Sequence, residues 1–429
     1  MQNPSSTRRQ LLSMAAAGLL AGTGRAQDKG RSRRLEFWTM QLSPQLDAYV
    51  NGLLRAFEAA HPGTSVHWVD LPWAEAERKL LTAVAAGAAP DLVNLNPQFS
   101  AKLAEFGALA NPLQHLSTAE QAAFLPAALE ANVYRDGCFG LPWYLSTNLT
   151  LYNRELFERA GLAVPSSHAE LLKQAPVLKS RSQAFAYFPA LDGSSPLETL
   201  AAFNAPLLDS TGRAPGFTKN GSGEQMFEFY RQLYQGGYTP RNAVTEGHRK
   251  AVEMFVAGQV AVVSTGMQFL GFIRSSNAAL YRQIGVAPQL ASPGAAPSIA
   301  AMNLVVPQAS KQRELAFRLA AFVAGPQQQL DFARRVPILP STRASYDDTF
   351  FASAPGTTEP LALARALSTR HVLAGRVSVP ALPGYNKLRS SYARNLQAAM
   401  LGAKTSRQAL AAIDSDWRAL LGQARKDSS

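Results

Sequence analysis

The chain has 429 residues, 47% of them hydrophobic and 17% charged, a globular balance that excludes a disordered chain, a collagen-like repeat and a multi-pass membrane protein. A single cysteine, Cys138, excludes an intramolecular disulfide and any cysteine-rich metal cluster, and six dispersed histidines show no HExxH or HxH spacing. The net charge is +12, but residues 1–34 hold seven Lys/Arg and one Asp, so half of the excess lies there, and no later Lys/Arg cluster interleaves with aromatics as a nucleic-acid surface would.

In chain order, the first element is a targeting segment. Arg8-Arg9 precede an apolar stretch from Leu11 to Ala21, too short for a bilayer, which takes roughly 20 residues. A charged stretch, a short apolar stretch and the small-residue site Gly24-Arg25-Ala26 read as an export signal over 1–26. Ser6-Thr7-Arg8-Arg9-Gln10-Leu11-Leu12 is similar to a twin-arginine signal, with Leu11 where Phe is common. No cysteine follows it, so no lipid anchor is expected. Residues 27–34 read as a basic linker.

Leu35–Thr39 predicts a strand, Ser43-Pro44 a helix start, and Leu46, Tyr49, Val50, Leu53, Leu54 and Phe57 one apolar helical stripe ended by Pro62-Gly63. Ser65–Asp70 predicts a second strand. Residues 73–86 predict a helix with Leu80, Leu81 and Val84 inward, and Asp91–Leu95 a third strand. This alternation implies a parallel sheet covered by helices on both faces. It resumes with strand 149–152 and a helix opened by the capping-box pattern Ser167-His168-Ala169-Glu170. A helix over 225–235, a helix ended by Gly258, strands 260–263, 284–287 and 302–306 and a helix over 310–324 follow. The last hundred residues are mainly helical, clearest at 388–401 and 406–421.

Catalytic motifs are missing. There is no GxSxG, no phosphate-binding GxxxxGK[ST] and no GxGxxG after a strand. Asp70, Asp91, Asp136, Asp192 and Glu246 offer carboxylates, but nothing in the sequence pairs two of them as a glycosidase requires. Cys138 has no base nearby and reads as a packed small residue. What stands out is aromatic and amide placement near strand ends: Trp38, Trp73, Trp143, Tyr144, Asn94 and Asn96. Open α/β sheets bind ligands beyond the carboxyl ends of their strands. Aromatic faces suit the apolar C–H surfaces of sugar rings, and amides match hydroxyls that donate and accept. Trp38 and Trp68 read equally well as core. For Trp73, Trp143 and Tyr144 the loop context favours a site, with burial in hinge core as the rival.

The chain resembles the family 1 extracellular solute-binding proteins, the sugar-binding components of ABC importers related to maltose-binding protein. The resemblance rests on the order of Phe57-Glu58-Ala59-Ala60-His61-Pro62-Gly63, Ala86–Val93, Gly140-Leu141-Pro142-Trp143-Tyr144, Leu151–Leu162, Phe255–Ala261, Leu339-Pro340 and 402–410. It implies an α/β fold of two lobes, type II-like, joined by a hinge that the chain crosses more than once. Lobe I is expected at 35–143 plus about 299–345, and lobe II at 144–298 plus about 346–429. It implies a carbohydrate held between lobes that close around it, and delivery to ABC permease subunits. Export as a soluble monomer, without cofactor, metal or nucleic acid, completes the expectation. Matched to the family's ligand-facing segments are Trp38 to Gln41, Asn94 to Gln98, Trp143 to Asn148 with Ser146, Met302-Asn303 and Pro383-Gly384-Tyr385. After strand 260–263 the family often carries a Trp; here Gly266-Met267-Gln268-Phe269 has none, leaving Gln268. A secreted carbohydrate-active enzyme with a similar cleft is the alternative function, and a polyanion binder drawn by net charge a weaker third.

Overall fold

The computed structural model describes residues 33–426 apart from 136, 193–194 and 353–355; the export signal and all but the end of the linker lie outside the described residues, as does Asp136. Thirteen strands are described. They are β1 (Arg33–Met40), β2 (Thr64–Leu71), β3 (Leu92–Leu95), β4 (Val133–Tyr134), β5 (Gly137–Cys138), β6 (Leu141–Thr147) and β7 (Leu149–Asn153). Then come β8 (Phe185–Tyr187), β9 (Val260–Thr265), β10 (Ile284–Pro288), β11 (Ser298–Val305), β12 (Leu339–Pro340) and β13 (Arg376–Val377). Arg33 and Arg34, expected in the linker, open β1.

The strands form two main sheets, one per lobe. The first runs β12-β6-β11-β3-β1-β2, with β13 on β11; the second runs β10-β7-β9-β8. The parallel part expected from strand–helix alternation is β3-β1-β2. The rest of the first sheet is antiparallel, because β11 returns from the second lobe and pairs against both β3 and β6. The expected lobe boundary after Trp143 moves: Tyr144 to Thr147 continue β6 inside the first sheet, paired with Met302 to Ile299. Only Asn148 then separates β6 from β7.

Strand direction fixes where the lobes face each other. β6 is antiparallel to β11, and β11 to β3, so β6 runs the same way as β1, β2 and β3. The carboxyl ends of all four lie where β6 leaves for the second lobe. In that lobe β7 begins at the crossing, and β9 is antiparallel to it with Thr265 opposite Leu149, so β9 and its parallel neighbour β8 also end there. β10 ends opposite Leu149 and β11 begins opposite Thr147, which places the return crossing beside the first.

Each lobe has its own core. In lobe I, Leu35, Phe37 and Leu92 meet Val50, Leu53, Leu54 and Phe57 of the helix Asp47–Ala60 and Phe317, Ala320 and Val323 of the helix Arg313–Val323. In lobe II, Tyr230, Tyr392 and Trp417 lock the helices Gly221–Gln235, Tyr385–Met400 and Ser406–Lys426 together. Two local expectations are corrected. The first helix starts at Asp47, since Ser43-Pro44 belong to the turn ahead of it. In the helix Trp73–Ala85, Leu80 is buried but Leu81 and Val84 are exposed, because the sheet covers only a narrow stripe of that helix. Ser167 does cap the helix His168–Ser182 by accepting from the Glu170 N–H, while the Glu170 carboxylate reaches one residue further back, to Ser166.

His168 is the clearest acid-sensitive group of lobe II. Its ring is buried and stacked on Phe203 at 4.1 Å, and burial pushes its pKa down to about 3. The unfolded chain protonates near 6.5, so the stability held by the neutral ring is complete above that pH and is lost as pH falls towards 3. The loss approaches about 1.4 kcal/mol per pH unit. His168→Phe is expected to flatten the fall in melting temperature between pH 6.5 and 4, and an unchanged slope in pH-dependent melting would contradict this assignment.

Candidate functional site

The lobe I rim is built from the turns that follow the parallel strands. Asp70, near the end of β2, accepts from Thr39 Oγ1 at 2.6 Å and from the N–H groups of Leu42 and Ser43, pinning the turn after β1. Gln41 stands exposed on that turn with φ 53°. After β2, Pro72 holds an extended backbone and delivers Trp73 as the first residue of a helix, its side chain 40% exposed. After β3, Asn96 accepts from the Phe99 N–H at 2.8 Å and Pro97 opens the helix Pro97–Glu105, which sets Gln98 beside the cap.

The lobe II rim follows β8 and β9. Asp192 accepts from the His248 N–H at 2.9 Å, and the His248 ring meets Thr265 Oγ1 at 2.9 Å and the edge of Phe269. A Cβ at position 247 would lie 2.3 Å from the Asp192 carboxyl, so any larger residue there displaces the Asp192 side chain from this bond. Burial holds the His248 imidazole below its ordinary pKa, so it is neutral at pH 7. Gln268 is exposed just past β9. No sequence motif marks Asp192 and His248; the glycine before His248 is the one local signal.

Where the lobe I rim meets the start of the lobe II helix Tyr385–Met400 lies a pocket of about 230 Å³ lined by Glu77, Asn96, Gln98, Phe99 and Lys102 from lobe I and by Tyr385, Asn386 and Arg389 from lobe II. The Tyr385 hydroxyl is buried without a partner among the described residues, and burial raises its pKa well above the usual range. A wider groove of about 1030 Å³ lies at the start of β1, lined by Arg33, His61, His115 and Arg318; it is at the opposite end of lobe I from the crossings.

Several expected site residues fall elsewhere. Trp143 is buried at 1% exposure, its ring stacked on Phe332 at 5.1 Å and 6.3 Å from Phe37. Tyr144 also packs on Phe332, edge-on at 5.6 Å. The register shift between Met302 and Asn303 leaves an extra residue on β6, and both rings gather over Phe332. Trp143 is therefore lobe I core and not cleft wall, as its rival assignment held, and Tyr144 packs on the same core. Trp38 lies half-buried within β1, its indole N–H donated backwards to Glu36, away from the cleft end of the strand. Asn94 and Asn303 are fully buried, with the Asn94 amide donating to the Asn303 carbonyl at 3.2 Å. Ser146 is half-buried on β6 opposite Ala300, close to the crossing.

Three of the candidate carboxylates are spent on structure. Besides Asp70 and Asp192, Asp91 accepts from the Glu36 N–H at 3.0 Å and from Ser310 Oγ at 2.6 Å. Cys138 is buried, donates to the Gly140 carbonyl, and is pushed up to about 11 by that burial, which makes it a poor nucleophile. Among the described residues no group of three or more His, Cys, Asp or Glu is placed to hold a metal ion.

A two-lobed α/β chain with this cleft is a solute receptor by construction, and the comparisons with known proteins agree. The family model for bacterial extracellular solute-binding proteins matches residues 42–330, and the chain belongs to that family. A solved structure from Synechococcus sp. MITs9220, described as a candidate oligosaccharide periplasmic-binding protein, is 33% identical with a TM-score of 0.81, covering 91% of this chain and 99% of its own. The mannitol-binding protein of Pseudomonas aeruginosa is 24% identical over 384 residues, 84% of this chain and 87% of the relative. A candidate binding protein of Brucella abortus is 23% identical over 401 residues, 90% of this chain and 93% of the relative.

The burial of Trp143 has a direct consequence. Trp143→Ala is expected to cost about 3–5 kcal/mol and to lower the melting temperature of the free protein by about 4–6 °C. A melting curve of the variant that matched the parent would place the ring outside the core.

Proposed function

We propose that this protein captures a carbohydrate between its lobes and hands it to the membrane subunits of an ABC importer, acting outside the cytoplasm as a monomer. The observation that carries this is a pocket lined from both lobes, at the end of lobe I where β3 delivers Asn96 and Gln98 and the lobe II helix Tyr385–Met400 begins. An open lobe can contact a solute from one side only, so the solute favours the closed arrangement. The chemistry of the lining fits hydroxyl-rich ligands. Asn96 and Gln98 offer amides, and the Tyr385 hydroxyl, without a partner among the described residues, is satisfied once a sugar hydroxyl meets it; outside the lining, the rims add the exposed ring of Trp73 and the exposed amides of Gln41 and Gln268. Relatives named for an oligosaccharide and for mannitol support that ligand class. Among the described residues no helix is long and apolar enough to cross a membrane.

A binding role fits better than an enzymatic one, because Asp70, Asp91 and Asp192 are each tied to backbone or hydroxyl donors. A thermal-shift screen against polyols, mono- and oligosaccharides tests the proposal. A ligand at a hundred times its dissociation constant adds about 2.7 kcal/mol of stability. Shifts with intact sugar recovered afterwards support binding; hydrolysis of a panel member supports the enzyme, and a panel without a shift removes the carbohydrate.

The site assignment is tested by two variants. Trp73→Ala is expected to leave the melting of the free protein nearly unchanged and to weaken binding by about 1–3 kcal/mol, by analogy with stacking of nucleic-acid bases. Tyr385→Phe removes only a hydroxyl and is expected to weaken binding by about 0.5–1.5 kcal/mol. Calorimetric titration with the sugar found in the screen measures both, and unchanged affinities would move the site away from these side chains.

A further inference from the structure

The helix Tyr385–Met400 starts without a cap of its own. Its N-cap residue is Gly384, in the left-handed region at φ 65°, ψ 22°, with no side chain to accept from the first turn. In a capping box the third helical residue reaches back to the N–H of the N-cap. Here that residue is Lys387, which has no acceptor. The acceptor comes instead from the other lobe. Glu105 Oε1 takes the Gly384 N–H at 3.1 Å, across 279 positions of sequence. Glu105 is the last residue of the helix Pro97–Glu105, which carries Gln98 in the lobe I wall of the pocket, and Gly384 immediately precedes Tyr385 in the lobe II wall. A carboxylate at a helix N-terminus also meets the positive end of the helix dipole.

We propose that Glu105 is a positioning residue of the cleft: it latches the lobes by capping in trans the lobe II helix that carries Tyr385. The polypeptide crossings at 147–149, 288–298 and 378–384 persist whatever the lobe angle, and the third of them delivers Gly384; the bond to Glu105 is the contact there that opening can break. Opening therefore strips the helix of its cap and frees the Pro383-Gly384-Tyr385 segment; closing restores the cap and sets the Tyr385 ring. The latch rests on the contact between lobes and not on the identity of the solute, so ligand-free protein tests it.

The test compares parent, Glu105→Ala and Glu105→Gln by amide hydrogen exchange and small-angle X-ray scattering, all without ligand. In Glu105→Ala, exchange at the Gly384 amide is expected to rise about fivefold, the factor that corresponds to loss of an ordinary cap. The radius of gyration is expected to increase, while protection in the Ser406–Lys426 helix and the melting temperature stay at parental values. Glu105→Gln keeps the side chain's length and a neutral acceptor, and is expected to show both changes at smaller size, which separates the latch from a folding defect. Unchanged exchange at Gly384 overturns the cap. Faster exchange with an unchanged radius of gyration makes the cap local and overturns the latch.

Discussion

Everything about the cleft depends on one covalent constraint: Asn148 is the only residue between the last strand of the first sheet and the first strand of the second. A single residue cannot turn the chain back over a sheet, so β6 and β7 meet end to end. Pairing then does the rest. β6 fixes the direction of β11 and, through it, of β3, β1 and β2, while β7 fixes β9 and, through it, β8. The carboxyl ends of β1, β2, β3 and β6 from one sheet and of β8 and β9 from the other are brought to one place, where turns rather than strands supply side chains. The crossing is held by further bonds: Thr147 Oγ1 donates to the Ser298 carbonyl at 2.9 Å, and the His371 ring bonds the backbone of Asn148. The lobes are thus hinged at two adjacent crossings and joined by a third between β13 and the helix Tyr385–Met400.

The polar groups near the cleft divide by what they already hold. Asp70, Asp192 and the Asn96 carbonyl oxygen hold turns and caps, and a ligand that displaced these bonds would loosen the rim. Trp73, Gln41 and Gln268 are exposed, and the Tyr385 hydroxyl is buried without a partner among the described residues. This split separates the scaffold of the site from the surface that is open for recognition.

The alternation of strands and helices was legible because each helix carries one apolar stripe and each strand a β-branched or aromatic run, and the resemblance of spaced landmarks extended this to two lobes. Of the proposed site residues, Trp73 and Asn96 were legible from their places just past strands, whereas Gln98 and Tyr385 came only from the resemblance. Trp143 and Tyr144 misled because Pro142 looks like a loop residue. Pro142 sits instead within β6 beside a register shift, and the aromatic pair closes over Phe332, almost two hundred positions away. Asn94 and Asn303 likewise became interior because β11 returns between β3 and β6, a pairing that no local pattern encodes. The pairing of Asp192 with His248 was hidden for the same reason: 56 positions separate them, and the contact exists only in the folded lobe.

The central claim is that one solute is gripped by both lobes at once. Hydrogen exchange of the protein saturated with the sugar found by screening, mapped against the free protein, measures this most directly. The account predicts coincident, stoichiometric protection in the turns at 41–43, 72–73 and 96–98 of lobe I and at 265–269 and 384–385 of lobe II. Protection confined to one lobe, or located in the groove around Arg33 and Arg318, would contradict it.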